Sequence, residues 1–150
     1  MAISFGQACS TSGGKLSGGT ILMASASLGP RVLIVEDHPE TADLLGRYAR
    51  LLQCDTRICH TGKEALGQAA DYLPQIILLD IGLPDIDGWD LAKTMKDMLD
   101  PVHPVIVAVT GFSSSSDRAK SKQAGIDYHL AKPAFRKDLM ELLMQLVGQR

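Results

Sequence analysis

The sequence predicts an α/β fold, a parallel sheet whose strands alternate with covering helices. Two observations carry this. Val32-Leu33-Ile34-Val35, Ile76-Ile77-Leu78-Leu79 and residues 105–109 are short, unbroken apolar runs, as expected of parallel strands covered on both faces. The segments between them carry apolar residues at helical spacing. Strand and helix alternate five times from Arg31 onward, which implies right-handed crossovers. Ligands of such folds sit outside the carboxyl ends of the strands.

Taken in order, the strand at 32–35 leads to a helix with Pro39 in its first turn. Leu44, Tyr48, Leu51 and Leu52, spaced i, i+4, i+7 and i+8, form its expected buried stripe. Thr56-Arg57-Ile58-Cys59 alternates in character and reads as a weaker strand at a sheet edge. A short helix over 63–72 precedes the strand at 76–79. Residues 89–99 read as a helix, with Pro101 and Pro104 marking its end. After the strand at 105–109, Ser113 to Ser116 offer N-cap hydroxyls to a polar helix that stops before Gly125. Tyr128 to Ala131 is a short strand. Phe135, Leu139, Leu142, Leu143, Leu146 and Val147 make the last amphipathic helix.

The chain has 150 residues, 45% hydrophobic and 21% charged, which suffices for one domain with a proper core. A formal net charge of −2 argues against a nucleic-acid partner, and no apolar run is long enough to span a membrane. Cys9, Cys54 and Cys59 are odd in number and lack metal-site spacing, so reduced thiols in a cytoplasmic protein are expected. Residues 1–29 differ from the rest, with six glycines, six serines and one charged residue. Such a segment buries too little apolar area to offset its ordering entropy. It reads as a flexible linker or a leader, with residues 30–150 as the domain; Met23 is a candidate start.

The residues that end the strands are a short polar set. Glu36-Asp37 follows the first strand, Asp80 the third, Thr110 the fourth, and Lys132-Pro133 the last. Singly, each has a plain structural reading: a carboxylate there is commonly a helix cap, and a lysine a surface group. Jointly they place three carboxylates, a hydroxyl and an ammonium on one sheet edge. Each pair of adjacent carboxylates repels by about 4 kcal/mol at an effective dielectric near 20. A cation between them relieves this, and an all-oxygen set suits magnesium. Three carboxylates, Mg²⁺ and Lys132 sum to zero formal charge. Phosphoryl transfer needs that kind of positioning and neutralisation.

Glu36-Asp37 after an apolar strand, Asp80 within Ile-Leu-Leu-Asp-Ile-Gly-Leu-Pro-Asp-Ile-Asp-Gly, Thr110-Gly111 and Lys132-Pro133 together resemble the response-regulator receiver signature of two-component signalling. The resemblance covers about residues 31–148. It implies a flavodoxin-like doubly wound sheet of five parallel strands, order 2-1-3-4-5, with helices on both faces. It also implies that Asp80 is the phosphoacceptor, supplied by a phosphohistidine of a histidine kinase or phosphotransfer protein. Asp37 and Asp80 would bind Mg²⁺ directly, Glu36 mostly through water, and the backbone carbonyl of Gly82 would complete the set. Lys132 would contact a phosphoryl oxygen, and the Thr110 hydroxyl would swing toward it. Pro133 is the position where a cis bond is usual. Two positions depart from the pattern. Gly111 stands where alanine is usual and keeps the site open. His129 stands where Tyr or Phe is usual, either as a variant switch residue or as a half-exposed strand histidine with no role.

Three rival readings fit the residues less well. A haloacid-dehalogenase-like phosphatase needs an acid two residues past its nucleophile, where this chain has Gly82; Asp85-Ile86-Asp87-Gly88 offers the spacing only after a proline turn. A receiver-like module that is not phosphorylated would lack an acid, the threonine or the lysine. A flavodoxin needs a phosphate-cradling loop where this chain has Glu-Asp-His-Pro. The chain therefore reads as a signalling phosphoacceptor and not a turnover enzyme. No helix-turn-helix follows Val147, so the output is expected on a separate protein or domain. The responding face is expected on the last two helices and the strand carrying His129. Met140 and Met144 lie there, either as cover at the margin of a Leu139-Leu142-Leu146 stripe or as an adaptable contact for a partner.

Overall fold

A computed structural model of the chain describes residues 29–111, 115–132 and 136–148, and the side chain of Arg136 is not among what it describes. The expected leader (apart from Gly29), the caps at Ser113 and Ser114, Pro133 and Phe135 all lie outside the described residues. The elements run β1 (Arg31–Val35), α1 (Pro39–Leu51), β2 (Asp55–Cys59), α2 (Gly62–Tyr72), β3 (Ile76–Leu79), α3 (Gly88–Met98), β4 (Val105–Thr110), α4 (Ser115–Gln123), β5 (Tyr128–Ala131) and α5 (Arg136–Gly148). The five strands form one parallel sheet in the order β2-β1-β3-β4-β5, as expected.

Alternation along the inner strands splits the core in two. Leu33, Val35, Ile77, Leu79, Ile106 and Ala108 face α2 and α3, against Ala65, Ala69, Leu91 and Met95. Val32, Ile34, Ile76, Leu78, Val107 and Val109 face α1 and α5, against Leu45, Ala49, Leu139, Leu143 and Leu146. Each such buried Leu, Ile, Val or Met contributes roughly 1.5–3 kcal/mol. In the edge strand β2 only Cys59 is fully buried. Burial pushes the Cys59 thiol up to about 11, with the Glu64 charge adding to the effect, and raises Cys54 as well; both are free. Thiols so disfavoured as thiolates are poor nucleophiles.

Two helix stripes differ from expectation. The face that α1 buries is Ala42, Leu45, Gly46 and Ala49, while Leu51 is 70% exposed. Small residues let α1 lie close to the sheet, where a Cβ on Gly46 would stand 3.2 Å from Ile58. The expected stripe thus lies at the margin of the packed face: Leu44 is half-buried, Tyr48 and Leu52 pack against the core, and only Leu51 faces outward. On α5 Leu139, Leu143 and Leu146 are buried, with Leu142 only partly buried; Met140 is half-buried and Met144 is 54% exposed. Met144 is thus not core cover. No helix among the described residues is long and apolar enough to cross a membrane.

The loop after β3 is held by its acids. Asp85 accepts the amides of Gly62 and Lys63 at 2.9 Å each, so it anchors the first turn of α2. Asp87 is the N-cap of α3 and accepts from Trp89 and Asp90. Both acids that a dehalogenase-like reading would need are therefore occupied as helix caps. Gly88 completes the turn: a Cβ there would stand 2.4 Å from the Ile81 backbone.

The Gly62 and Lys63 amides hold the Asp85 carboxyl below the usual carboxylate range. A lowered folded value stabilises above the unfolded value, and that contribution is lost as pH falls through the folded one. Asp85→Asn should therefore lower Tm at pH 7, and the gap to wild type should close below about pH 4. Thermal melts across that range check this; a pH-independent gap would assign the effect to something other than the carboxylate charge.

Candidate functional site

Sheet register assembles the site. Val35 pairs with Leu79, and Asp80 N–H donates to Val35 O at 2.9 Å, so Glu36 and Asp80 emerge side by side at the carboxyl edge. Thr110 pairs with Ala131, and Lys132 N–H donates to Thr110 O at 2.8 Å. The ammonium of Lys132 then reaches across two strands. It donates to Glu36 Oε1 at 2.7 Å and to Asp80 Oδ2 at 3.3 Å.

Glu36, Asp80 and Thr110 are all buried. Burial pushes the Glu36 carboxyl above its usual range; the Lys132 hydrogen bond opposes that, and the Asp80 charge adds to it. Burial works against the Lys132 charge as well, but the Glu36 hydrogen bond and the Asp80 and Glu36 charges together hold it above the usual lysine value. Two anions face one ammonium, so the ammonium stays charged. The other oxygen of Asp80 accepts the Gly82 amide at 3.0 Å. Asp37 Oδ1 is buried and makes no hydrogen bond, although His38 Nδ1 lies 3.4 Å from it. Single ligand atoms of Glu36, Asp37, His38 and Asp80 lie within 4.8 Å of one another, a group that could hold a metal ion. An orphaned buried carboxylate oxygen in such a group fits a hard cation.

Glu36, Asp37, Asp80 and Lys132 thus lie together; Gly82 reaches them through its amide, and Thr110 is joined to Lys132 through the backbone. His129 does not join them. It lies on β5 opposite Ala108, lining a groove of about 910 Å³ with residues of α3 and α4, among them Lys93, Arg118 and Lys122. Both its ring nitrogens are buried without a hydrogen-bond partner, and burial, followed by the Arg118 charge, pushes its pKa down. The imidazole is therefore neutral near pH 7. At Gly111 an added Cβ would meet nothing within 4 Å.

Two histidines were missed. His38 follows Asp37 directly, so Glu-Asp-His was legible as three ligand-type side chains in a row. His60 ends the edge strand β2, the one strand end passed over. Its Nδ1 lies 2.9 Å from the Glu36 carbonyl oxygen, which only accepts, so that nitrogen carries a proton.

Residues 32–144 match the family of response regulator receiver domains. The polar-differentiation response regulator DivK of Brucella ovis is 30% identical over 117 residues, covering 78% of this chain and 95% of that protein. Among solved structures, a CheY-like response regulator receiver domain protein from Methanospirillum hungatei JF-1 aligns with a TM-score of 0.73 at 28% identity, covering 80% of this chain and 94% of its own. The signal receiver domain of a putative Luxo repressor protein from Vibrio parahaemolyticus gives 0.73 at 27% identity, covering 81% and 92%.

Removing the ammonium strands a buried carboxylate. Lys132→Met should cost on the order of 2–3 kcal/mol at pH 7, below the figure for fully buried pairs because Lys132 keeps 23% exposure. An acid whose folded pKa is raised loses stability as pH rises through its unfolded value toward the folded one. The deficit should therefore shrink as pH falls toward about 4.3. Urea unfolding of both proteins at several pH values checks this; a deficit that grows in acid would contradict it.

Proposed function

The chain belongs to the response regulator receiver domain family, and from that premise we propose that Asp80 accepts a phosphoryl group from a phosphohistidine of a histidine kinase or phosphotransfer protein. The observation that carries this reading is the Lys132 ammonium bridging Glu36 and Asp80 inside a buried acid pocket. Glu36, Asp37, Asp80 and the backbone carbonyl of Gly82 are the proposed holders of Mg²⁺. When bound, the ion supplies positive charge that offsets the carboxylates and the phosphoryl oxygens.

An Asp80 carboxylate oxygen forms the new O–P bond as the P–N bond of the donor breaks, and the imidazole leaves with the electron pair. The Gly82 amide on Oδ1 and the ammonium on Oδ2 hold the carboxylate in one orientation. Lys132 exchanges part of its contact with Asp80 for a phosphoryl oxygen, and the Thr110 hydroxyl donates to another. The role is acceptance and later loss of the group, not turnover. Free, buried Cys54 and Cys59 fit a reducing cytoplasmic setting.

A new charge on Asp80 acts on Thr110 and Lys132, whose backbones are bonded to each other. These residues end β4 and β5, so the pull reaches α4, β5 and α5, the proposed output face. His129 fits a switch position on it, because a buried imidazole with two unpaired nitrogens is costly by about 1–3 kcal/mol and gains by reorienting. Met144 and Tyr128, 54% and 36% exposed, supply adaptable apolar area there for an output protein.

Asp80→Asn should fold normally and take up no label from a phosphorylated phosphotransfer protein, whereas wild type should carry a hydroxylamine-labile phosphate formed only when magnesium is present. Retained, acid-stable label on Asp80→Asn would overturn the assignment. Met144→Glu should leave uptake intact and weaken association with a partner that binds the beryllofluoride form by about tenfold, ~1.4 kcal/mol. Pull-down and sedimentation with and without beryllofluoride measure this; unchanged association would remove Met144 from the output face.

A further inference from the structure

Of the four side chains that could hold a metal ion here, one offers a nitrogen and not an oxygen. We infer that His38 is a further ligand of the pocket's divalent cation, adding a nitrogen that favours cobalt and manganese over magnesium more than an all-oxygen site would. This rests on the reading of the pocket as a cation site.

Backbone geometry places the ring. His38 is the N-cap of α1, with extended φ −85° and ψ 114°, yet its side chain makes no capping hydrogen bond. Pro39 begins the helix behind it, and the His38 amide donates back to Glu36 Oε2 at 3.2 Å. The ring therefore lies over the acids. Nδ1 stands 3.4 Å from Glu36 Oε2, a hydrogen bond that a cation would replace as the ring proton passes to Nε2, and 3.4 Å from Asp37 Oδ1. Adjacent ligands of an octahedral cation with bonds of about 2.1 Å stand about 3.0 Å apart, so only small shifts are needed. With 71% of the side chain exposed, the ring can make them without disturbing packing.

The nearest competing nitrogen is otherwise engaged. His60 Nδ1 is committed to the Glu36 carbonyl, and His60 is not part of the four-residue group. Lys132 is an ammonium and offers no lone pair. The consequence is one of selectivity. Magnesium prefers oxygen ligands and retained water, whereas imidazole suits later first-row metals. The gain from His38 should be largest for Co²⁺, smaller for Mn²⁺ and negligible for Mg²⁺.

The test uses the full chain, freed of metal and titrated with Mg²⁺, Mn²⁺ and Co²⁺ by calorimetry, with ¹⁴N electron spin-echo modulation recorded on the Mn²⁺ form. The wild type should show a directly bonded nitrogen. His38→Asn and His38→Ala should lose it, whereas His60→Asn should keep it. Both His38 variants should bind Co²⁺ about tenfold more weakly while Mg²⁺ affinity changes by less than about twofold. Bound Mn²⁺ without nitrogen modulation, or Co²⁺ affinity unchanged in both variants, overturns the role of His38 and leaves the pocket's cation reading standing. A wild-type chain that binds none of the three ions overturns both.

Discussion

The contact on which the site depends is the ammonium of Lys132 set between Glu36 and Asp80. Two carboxylates at the end of adjacent buried strands would repel each other and resist ionisation. One lysine from two strands away makes the arrangement tolerable. Its closer bond goes to Glu36, at 2.7 Å against 3.3 Å to Asp80, so Asp80 is the less tightly held carboxylate of the two.

The sheet makes that contact possible. A parallel sheet brings every strand to its carboxyl end on the same edge, and the middle position of β1 and β3 buries Glu36 and Asp80 between their neighbours. The two cores on either face fix the register: a slip of one residue in β1 would turn Leu33 and Val35 into the α1 and α5 layer and carry Glu36 out of line with Asp80. Packing far from the acids therefore determines the distances among them.

Strand and helix succession and the polar strand ends were legible because buried parallel strands are short apolar runs with abrupt polar ends; the strand order was legible only through the family resemblance. Legibility failed where packing used small residues. Ala42, Gly46 and Ala49 carry no strong hydropathic signal, so Leu44, Tyr48 and Leu51 dominated the periodicity of α1 although Leu51 faces outward. His60 was hidden for a related reason: β2 is a weak edge strand, and its end drew no notice. The role of Asp85 was also beyond reach, since accepting the amides of Gly62 and Lys63 is a contact across more than twenty residues of sequence, whereas Asp87 caps α3 through its own neighbours Trp89 and Asp90. Their spacing suggested chemistry; their geometry is structural.

Those caps divide the surroundings of Asp80 by stiffness. On one side, Asp85 staples the loop to the start of α2, Asp87 to the start of α3, and Gly88 packs against the Ile81 backbone with no room to spare. On the other side, Lys132 is bonded to Thr110 through the backbone and to both acids through its ammonium, and α4 buries only Ser121, which accepts from Trp89 at 2.9 Å. A load applied at Asp80 thus meets a braced abutment on the α2 and α3 side and, on the α4 side, a helix seated by one buried side chain. On the proposed reading, deflection is directional before any partner arrives, because the mechanical resistance around the acid is unequal.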